Sequence, residues 1–252
     1  MLILLPPSET KRPGGSRRAV DLASLGFPGL GPVRETLVDA LATLAADADH
    51  SARVLGLGVR QRAEATVNAT LRSAPTMPAI DRYTGVLFDA LGADTLDAAA
   101  RAWLGRNVAI HSSAFGLVRA LDRLPSYRLG AGITVPTTDT PRRLWGSAIT
   151  DALEARDPGY VLDLRSEAYV ALGPVPASVS SAYVRVTTRA SDGSVRALNH
   201  FNKKAKGELV RALARTRPRV RSTEALIRWA SAEGLDLRPA DAAGQLELRV
   251  SA

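Results

Sequence analysis

The chain has 252 residues, 46% hydrophobic and 23% charged, and contains no cysteine. These proportions belong to a protein with a sizeable core, and the missing cysteine excludes disulfides, thiolate catalysis and cysteine-ligated zinc or iron–sulfur centres. Lys and Arg number 33 against 25 Asp and Glu, a net charge of +8, which points to a polyanionic partner; an Arg- and Ala-rich coding bias gives the same total, so location has to decide.

Met1 to Leu5 reads as a buried strand, ended by Pro6-Pro7 because proline cannot donate to a ladder. That apolar run is too short for a signal peptide or a membrane span, and no later stretch reaches about 18 uncharged apolar residues, which predicts a cytoplasmic protein with no membrane partner. Ser8 to Gly31 predicts a loop carrying Lys11, Arg12, Arg17 and Arg18. Val33 to Ala46 predicts an amphipathic helix with Leu37, Leu41, Leu44 and Ala45 on one face. Short helices at Ser51 to Leu55 and Val59 to Leu71 meet at Gly56-Leu57-Gly58.

Ala79 to Thr84 predicts a short strand, Val86 to Leu91 a helical turn, Leu96 to Leu104 a helix and Val108 to His111 a buried strand. Ser112 to Gly132, dense in Gly, Ser and Arg, predicts a long structured loop with short helices. A helix over Leu144 to Ala155 follows Thr140-Pro141. Tyr160 to Leu164 reads as a strand and Ser166 to Leu172 as a helix stopped by Gly173-Pro174. Tyr183 to Thr188 and Val195 to His200 alternate around Ser191-Asp192-Gly193, a β-hairpin pattern. Helices over Phe201 to Arg215 and Thr223 to Ala232 and a strand over Leu246 to Val250 close the chain. With no regular βαβ rhythm and no linker, the fold class is α+β in a single compact domain, residues 1–252.

Four segments carry candidate chemistry. On the Phe201 to Arg215 helix, Lys204 and Arg211 share a face, and Gly207 leaves an opening beside them through which a phosphate could approach; Lys203 lies beyond it and Lys206 completes the basic run. A solvated basic face with a packing glycine is the plainer reading. Gly56-Leu57-Gly58, flanked by Arg53, Arg60 and Arg62, fits a helix-hairpin-helix whose backbone amides hold DNA phosphate, although a Gly-x-Gly turn alone is a weak signal. Arg119, Asp122, Arg123, Tyr127 and Arg128 gather after a buried strand, where sites tend to sit. Arg165-Ser166-Glu167 follows another strand, and Ser166 there has a capping role as its simpler assignment. Trp145 reads as core. No Walker A run, dinucleotide fingerprint, nucleophile elbow or metal-ligand spacing of His50, His111 and His200 occurs, so no metal and no cofactor is expected.

In order along the chain, Met1-Leu2-Ile3-Leu4-Leu5-Pro6-Pro7-Ser8-Glu9-Thr10-Lys11, Tyr83-Thr84-Gly85, Ser113 to Asp122 with Tyr127-Arg128-Leu129, Trp145-Gly146, Ser166 with Tyr169, and Lys203-Lys204-Ala205-Lys206-Gly207 resemble the YaaA peroxide stress response family in an actinobacterial form. The chain departs from that pattern at Phe115, Ala120, Ala168 and Lys206, where the family more often has Tyr, Pro, an acid and Arg. The resemblance implies a single α+β domain with a basic cleft and a helix-hairpin-helix element, and DNA binding in the limitation of oxidative damage linked to iron. The phosphate contacts it and the residues suggest are Lys11, Gly56, Gly58, Arg60, Arg62, Arg119, Arg128, Ser166, Lys203, Lys204, Lys206, Gly207 and Arg211. The alternative is an enzyme acting on a small phosphorylated or nucleotide-like substrate, with Glu9, Tyr127 and Glu167 as candidate acid–base groups. Nothing in the sequence sets an oligomeric state.

Overall fold

Leu2–Leu5 is apolar at every position and buried at every position. A strand flanked on both sides and covered on both faces needs that pattern, because it has no solvent face to alternate toward. The structure, a computed structural model, describes residues 1–16, 18–189, 195–196 and 199–251. In chain order the elements are β1 (Leu2–Leu5), α1 (Gly31–Leu44), α2 (Ala48–Val54), β2 (Met77–Pro78), α3 (Ala79–Arg82), α4 (Val86–Leu91), α5 (Ala98–Asn107), β3 (Val108–Ser112), β4 (Gly116–Arg119) and β5 (Arg123–Leu124). They continue with α6 (Pro141–Arg156), β6 (Val161–Asp163), α7 (Glu167–Ala171), β7 (Ser181–Arg189), β8 (Val195–Arg196), α8 (Asn199–Thr216), α9 (Thr223–Ala232), β9 (Asp236–Pro239) and β10 (Gln245–Ser251). The longest 3-10 stretch is Val59–Thr70.

One mixed sheet runs in the order β4-β3-β1-β6-β7-β10-β9, with β8 paired to β7. Its centre, β3-β1-β6-β7-β10, is parallel throughout, while β4, β8 and β9 are antiparallel additions. Five carboxyl ends therefore lie along one edge. The chain leaves β1 for β3 on one side and later crosses to β6 on the other, and the crevice outside such a reversal is where α/β sheets bind ligands. The α+β class holds, with a more parallel sheet than an irregular strand rhythm suggests, because the crossovers differ too much in length to show a repeat.

Several local expectations differ from the structure. Ala79 to Thr84 is not a strand: Pro78 ends β2, and Ala79–Arg82 turns into α3. Ser112 to Gly132 holds strands β4 and β5 in place of short helices, since the turn at Gly116, with φ +62°, folds the chain back onto β3. Strand β8 ends at Arg196, and His200 belongs to α8; the turn residues Ser191-Asp192-Gly193 lie outside the described residues. Strand β9 has no counterpart among the expected elements, for it is largely exposed and lacks an apolar run. The expected helix-hairpin-helix is present only as a hairpin of α2 and a 3-10 stretch, held by Ser51 Oγ donating to Ala65 O at 2.7 Å.

Gly207 is a packing residue with no open space beside it. A Cβ there would lie 2.2 Å from Leu87 O and 2.9 Å from the Ala90 Cβ, both on α4. Arg211 is spent at the same contact, donating to Leu91 O, Gly92 O and Thr95 Oγ1 at 2.8–3.0 Å and so capping the end of α4. The opening expected beside Gly207 is therefore filled by backbone. Gly207→Ala is expected to destabilise the fold by about 1–3 kcal/mol through overpacking, read as a lower urea midpoint.

Candidate functional site

The segment after β1 turns at Pro6-Pro7 and lays Lys11 against α3, where Lys11 and Tyr83 form an antiparallel bridge. The Lys11 ammonium donates to Ser8 O and Glu9 O, each at 3.1 Å, and its Nζ sits 4.1 Å from the centre of the Tyr127 ring. Its three N–H directions are thereby occupied by two carbonyls and one aromatic face. Beneath it runs a chain of hydroxyls. Tyr83 and Tyr127 share a hydrogen bond at 2.9 Å, and Ser112 Oγ, at the carboxyl end of β3, donates to Tyr127 Oη at 2.8 Å. Ser112 Oγ in turn accepts from the amides of Ala114 and Phe115, which fixes the turn into β4. Phe115 meets the Tyr127 ring edge-on at 5.4 Å.

Arg128 borders this cluster. It donates to Glu9 Oε2 at 3.0 Å and pairs with Glu64 at 3.4 Å, and its own side chain is only 14% exposed. Asn68 fixes its backbone from both sides, accepting from Arg128 N and donating to Arg128 O. The 3-10 stretch thus buttresses the site through Glu64 and Asn68 and not through the glycine turn. The amides of Gly56 and Leu57 already donate to Arg53 O and Ala52 O, so they are committed within the turn. Arg60 and Arg62 are exposed, and Arg62 lies 3.8 Å from Asp49.

The second half of the site lies at the carboxyl end of β6. Arg165 is fully buried and binds Asp163 through Nε and Nη2 at 2.9 and 2.6 Å, while its Nη1 reaches Gly173 O and His111 Nδ1. A guanidinium only donates, so His111 Nδ1 accepts and its proton sits on Nε2. Burial, and then the charge of Arg165, hold His111 well below its ordinary value, which keeps the ring neutral. Tyr169 stands edge-on over it at 5.1 Å and joins this half to the tyrosine cluster. Burial, and then the neighbouring Tyr127, raise the Tyr169 hydroxyl above its ordinary value.

Lys206 points into this end from α8. It is 5% exposed, its Nζ lies 3.5 Å from Arg165 O, and it sits 5.5 Å from the centre of the Tyr183 ring. Glu167 is exposed and pairs with Arg185 at 3.2 Å, and Ser166 is an exposed residue at the start of α7 whose side chain makes no cap bond. Lys203 and Lys204 are exposed on α8, with Lys204 3.6 Å from Glu208. Arg119 does not join them. Register places it beside Ala109, at the opposite end of β3 from Ser112, where its amide donates to Asp122.

The structure therefore brings Glu9, Lys11, Tyr127 and Arg128 together, places Lys206 separately against Arg165 near Ser166 and Glu167, and leaves Arg119, Gly207 and Arg211 elsewhere. Sequence reasoning gave no specific role to Ser112 or His111 and did not pair Arg165 with Asp163. The signal available for that pair is a carboxylate and an arginine embedded in the otherwise apolar run Val161-Leu162-Asp163-Leu164-Arg165, where an unpaired charge would be untenable. Among the described residues no group of three His, Asp or Glu side chains is placed to hold a metal ion, and no helix is long and apolar enough to cross a membrane.

The fold and site define a class: an α+β protein with cations and hydroxyls clustered beyond the carboxyl ends of its parallel strands. Residues 1–241 match the family described as Peroxide stress protein YaaA, and the chain belongs to that family. A UPF0246 protein of Corynebacterium efficiens is 51% identical over 227 residues, covering 88% of each chain. Another from Corynebacterium glutamicum is 42% identical over 239 residues, 93% of this chain and 94% of that one. One from Streptomyces coelicolor is 40% identical over 219 residues, 86% and 84% of the two chains.

Two measurements probe the site's electrostatics. Burial lowers Lys11 to about 7 from its ordinary 10.5; repulsion by Arg128 adds to this, and Glu9 and Glu64 oppose it. Above pH 7 the folded protein sheds this proton while the unfolded chain keeps it up to about pH 10.5, so stability rises with pH across that window and the slope disappears below it. Lys11→Met is expected to flatten the rise in urea midpoint between pH 7 and pH 8, with Lys206, lowered to about 8 by burial, sustaining the remainder above it. Tyr127→Phe leaves Tyr83 and Ser112 without their shared partner and is expected to cost about 1–3 kcal/mol, seen as a lower melting temperature.

Proposed function

We propose that this protein binds DNA without reading its sequence, in the cytoplasm, as part of the response to peroxide. The observation that carries the reading is a set of cations on the segment after β1, the segment after β5 and helix α8. Arg128 pairs with Glu64 of the 3-10 stretch, Lys11 lies over Tyr127, and Lys206 comes in at β6, with Lys203 and Lys204 exposed on α8. Exposed Arg60 and Arg62 add to the set on the 3-10 stretch. Point charges of this kind suit phosphates, which position a protein on nucleic acid but carry no sequence information. Membership of a peroxide stress family supplies the setting.

Fluorescence anisotropy on a labelled duplex of arbitrary sequence tests this. Log affinity is expected to fall against log salt with a slope of about 0.9 per phosphate neutralised, and the double variant Lys203→Ala, Lys204→Ala should lower that slope by about 1.8. A flat salt response sinks the reading.

A second reading is favoured by one feature. The Lys11–Tyr127–Ser112 chain and Arg128, whose side chain is 14% exposed, are more enclosed than contacts that only track a phosphate backbone. Such enclosure suits a small phosphorylated or nucleotide-like ligand, with Glu9, Tyr127 and Glu167 as the acid–base candidates.

A further inference from the structure

Two lysines reach the crevice, and their surroundings differ in kind. Lys11 has acceptors in all three N–H directions. Lys206 is 5% exposed, yet its one hydrogen-bond acceptor among the described residues is Arg165 O at a marginal 3.5 Å. The nearest carboxylates are committed. Asp163 Oδ1 accepts from the amide and Nε of Arg165, and Oδ2 accepts from Nη2. Glu167 faces solvent and Arg185. Asp163 is tied to Arg165 and Glu167 to Arg185, so neither carboxylate bonds Lys206, although both favour its charge against the larger effect of burial.

A second group beside it is equally short of a partner. Asn202 precedes Lys206 by four residues on α8, so the two side chains share a face one turn apart. The Asn202 Oδ1 atom is buried and receives no donor among the described residues. A buried ammonium with one marginal acceptor and a buried amide oxygen lacking a donor both oppose folding when left unmet, the charged group more than the neutral one. Nor can the helix shift to relieve them, because Gly207 is pressed against the backbone of α4 at Leu87.

We propose that the β6–β7 end of the crevice is a subsite for the phosphate of a small molecule, held by Lys206, with Asn202 accepting a hydroxyl of the same ligand. A phosphate monoester with a neighbouring sugar hydroxyl meets both requirements at once: its oxygens accept from the ammonium, and its hydroxyl donates to the amide. The proposal rests on the small-ligand reading above and gives it an anchor independent of Lys11 and Arg128.

Calorimetric titration of the whole protein with inorganic phosphate and with adenosine monophosphate at pH 8.5 tests it. Wild type is expected to bind both with uptake of a proton, seen as a heat that varies with the ionisation enthalpy of the buffer, because the anion recharges Lys206. Lys206→Gln should weaken binding at least about tenfold, and Asn202→Ala should weaken adenosine monophosphate more than phosphate. Lys206→Arg should retain binding but take up no proton, a result that a merely structural lysine would not produce. Arg215→Gln, an exposed change on the same helix, should leave both titrations unaltered. Failure of wild type to bind either probe at millimolar concentration overturns the small-ligand reading and this subsite together. Binding that survives in Lys206→Gln, or proton uptake that survives in Lys206→Arg, overturns the subsite alone.

Discussion

The placement of Lys11 against Tyr127 depends on a guanidinium that has no carboxylate beside it. Arg82 is fully buried and donates to Leu124 O, Gly14 O, Pro75 O and Arg12 O. Five N–H groups in a fixed fork can satisfy several carbonyls from separate segments, which a lysine's compact ammonium cannot do with the same geometry. One side chain thus joins β5, the approach to β2 and the irregular segment after β1. That last segment carries Lys11, one residue before Arg12, so Arg82 sets where Lys11 meets Tyr127. Arg34 does the same work near β4, donating to Gly26 O, Phe115 O and Leu117 O. Loops with few apolar side chains are fixed here by buried charge because they have no core of their own to collapse onto.

This use of arginine changes what the net charge of +8 means. Arg34, Arg82 and Arg165 have no exposed surface, Arg211 caps α4, and Arg101 is tied to Asp81 at 2.7 Å. Arg101 and Arg165 are paired with carboxylates, and Arg34, Arg82 and Arg211 aim their donors at backbone carbonyls, so none of the five is presented to a polyanion outside. Of the cations in the proposed set, those presented outward are Arg60, Arg62 and the lysines Lys203 and Lys204 at the start of α8, whereas Arg128, Lys11 and Lys206 are enclosed and would serve a ligand that enters beside them. A tally of basic residues overstates the interface, and position identifies the few that remain.

Local patterns were legible and long-range ones were not. Val86–Leu91 and Thr223–Ala232 fall on the residues that periodicity assigns them, and the three short apolar runs that became β1, β3 and β6 read as buried strands from composition alone. Their parallel pairing did not, because register is set between segments a hundred residues apart. Helical spacing put Lys204, Arg211 and Gly207 on neighbouring faces of α8, but only the packing of α4 against that helix shows the glycine to be filled space. Arg119 looked like a partner for Arg128 because the two are close in sequence. Antiparallel pairing of β4 carries it to the far end of β3. Ser112 escaped notice for the converse reason: a serine ending an apolar strand is unremarkable until Tyr127 is seen lying on it.

The basic run on α8 shows how one short sequence serves different ends. Lys203 and Lys204 face solvent and Lys206 faces the sheet, a division set by a rotation of about 100° per residue. Exposed lysines can be added or lost at little energetic consequence, so their presence says little by itself. A lysine turned inward is different, because desolvating an ammonium is unfavourable unless acceptors meet it, and Arg165 O is a poor one at 3.5 Å. Lys11, equally close to the crevice, has that need met by Ser8 O, Glu9 O and the Tyr127 ring. Saturation, and not charge or burial alone, therefore separates the lysine that shapes the site from the lysine that still requires a ligand.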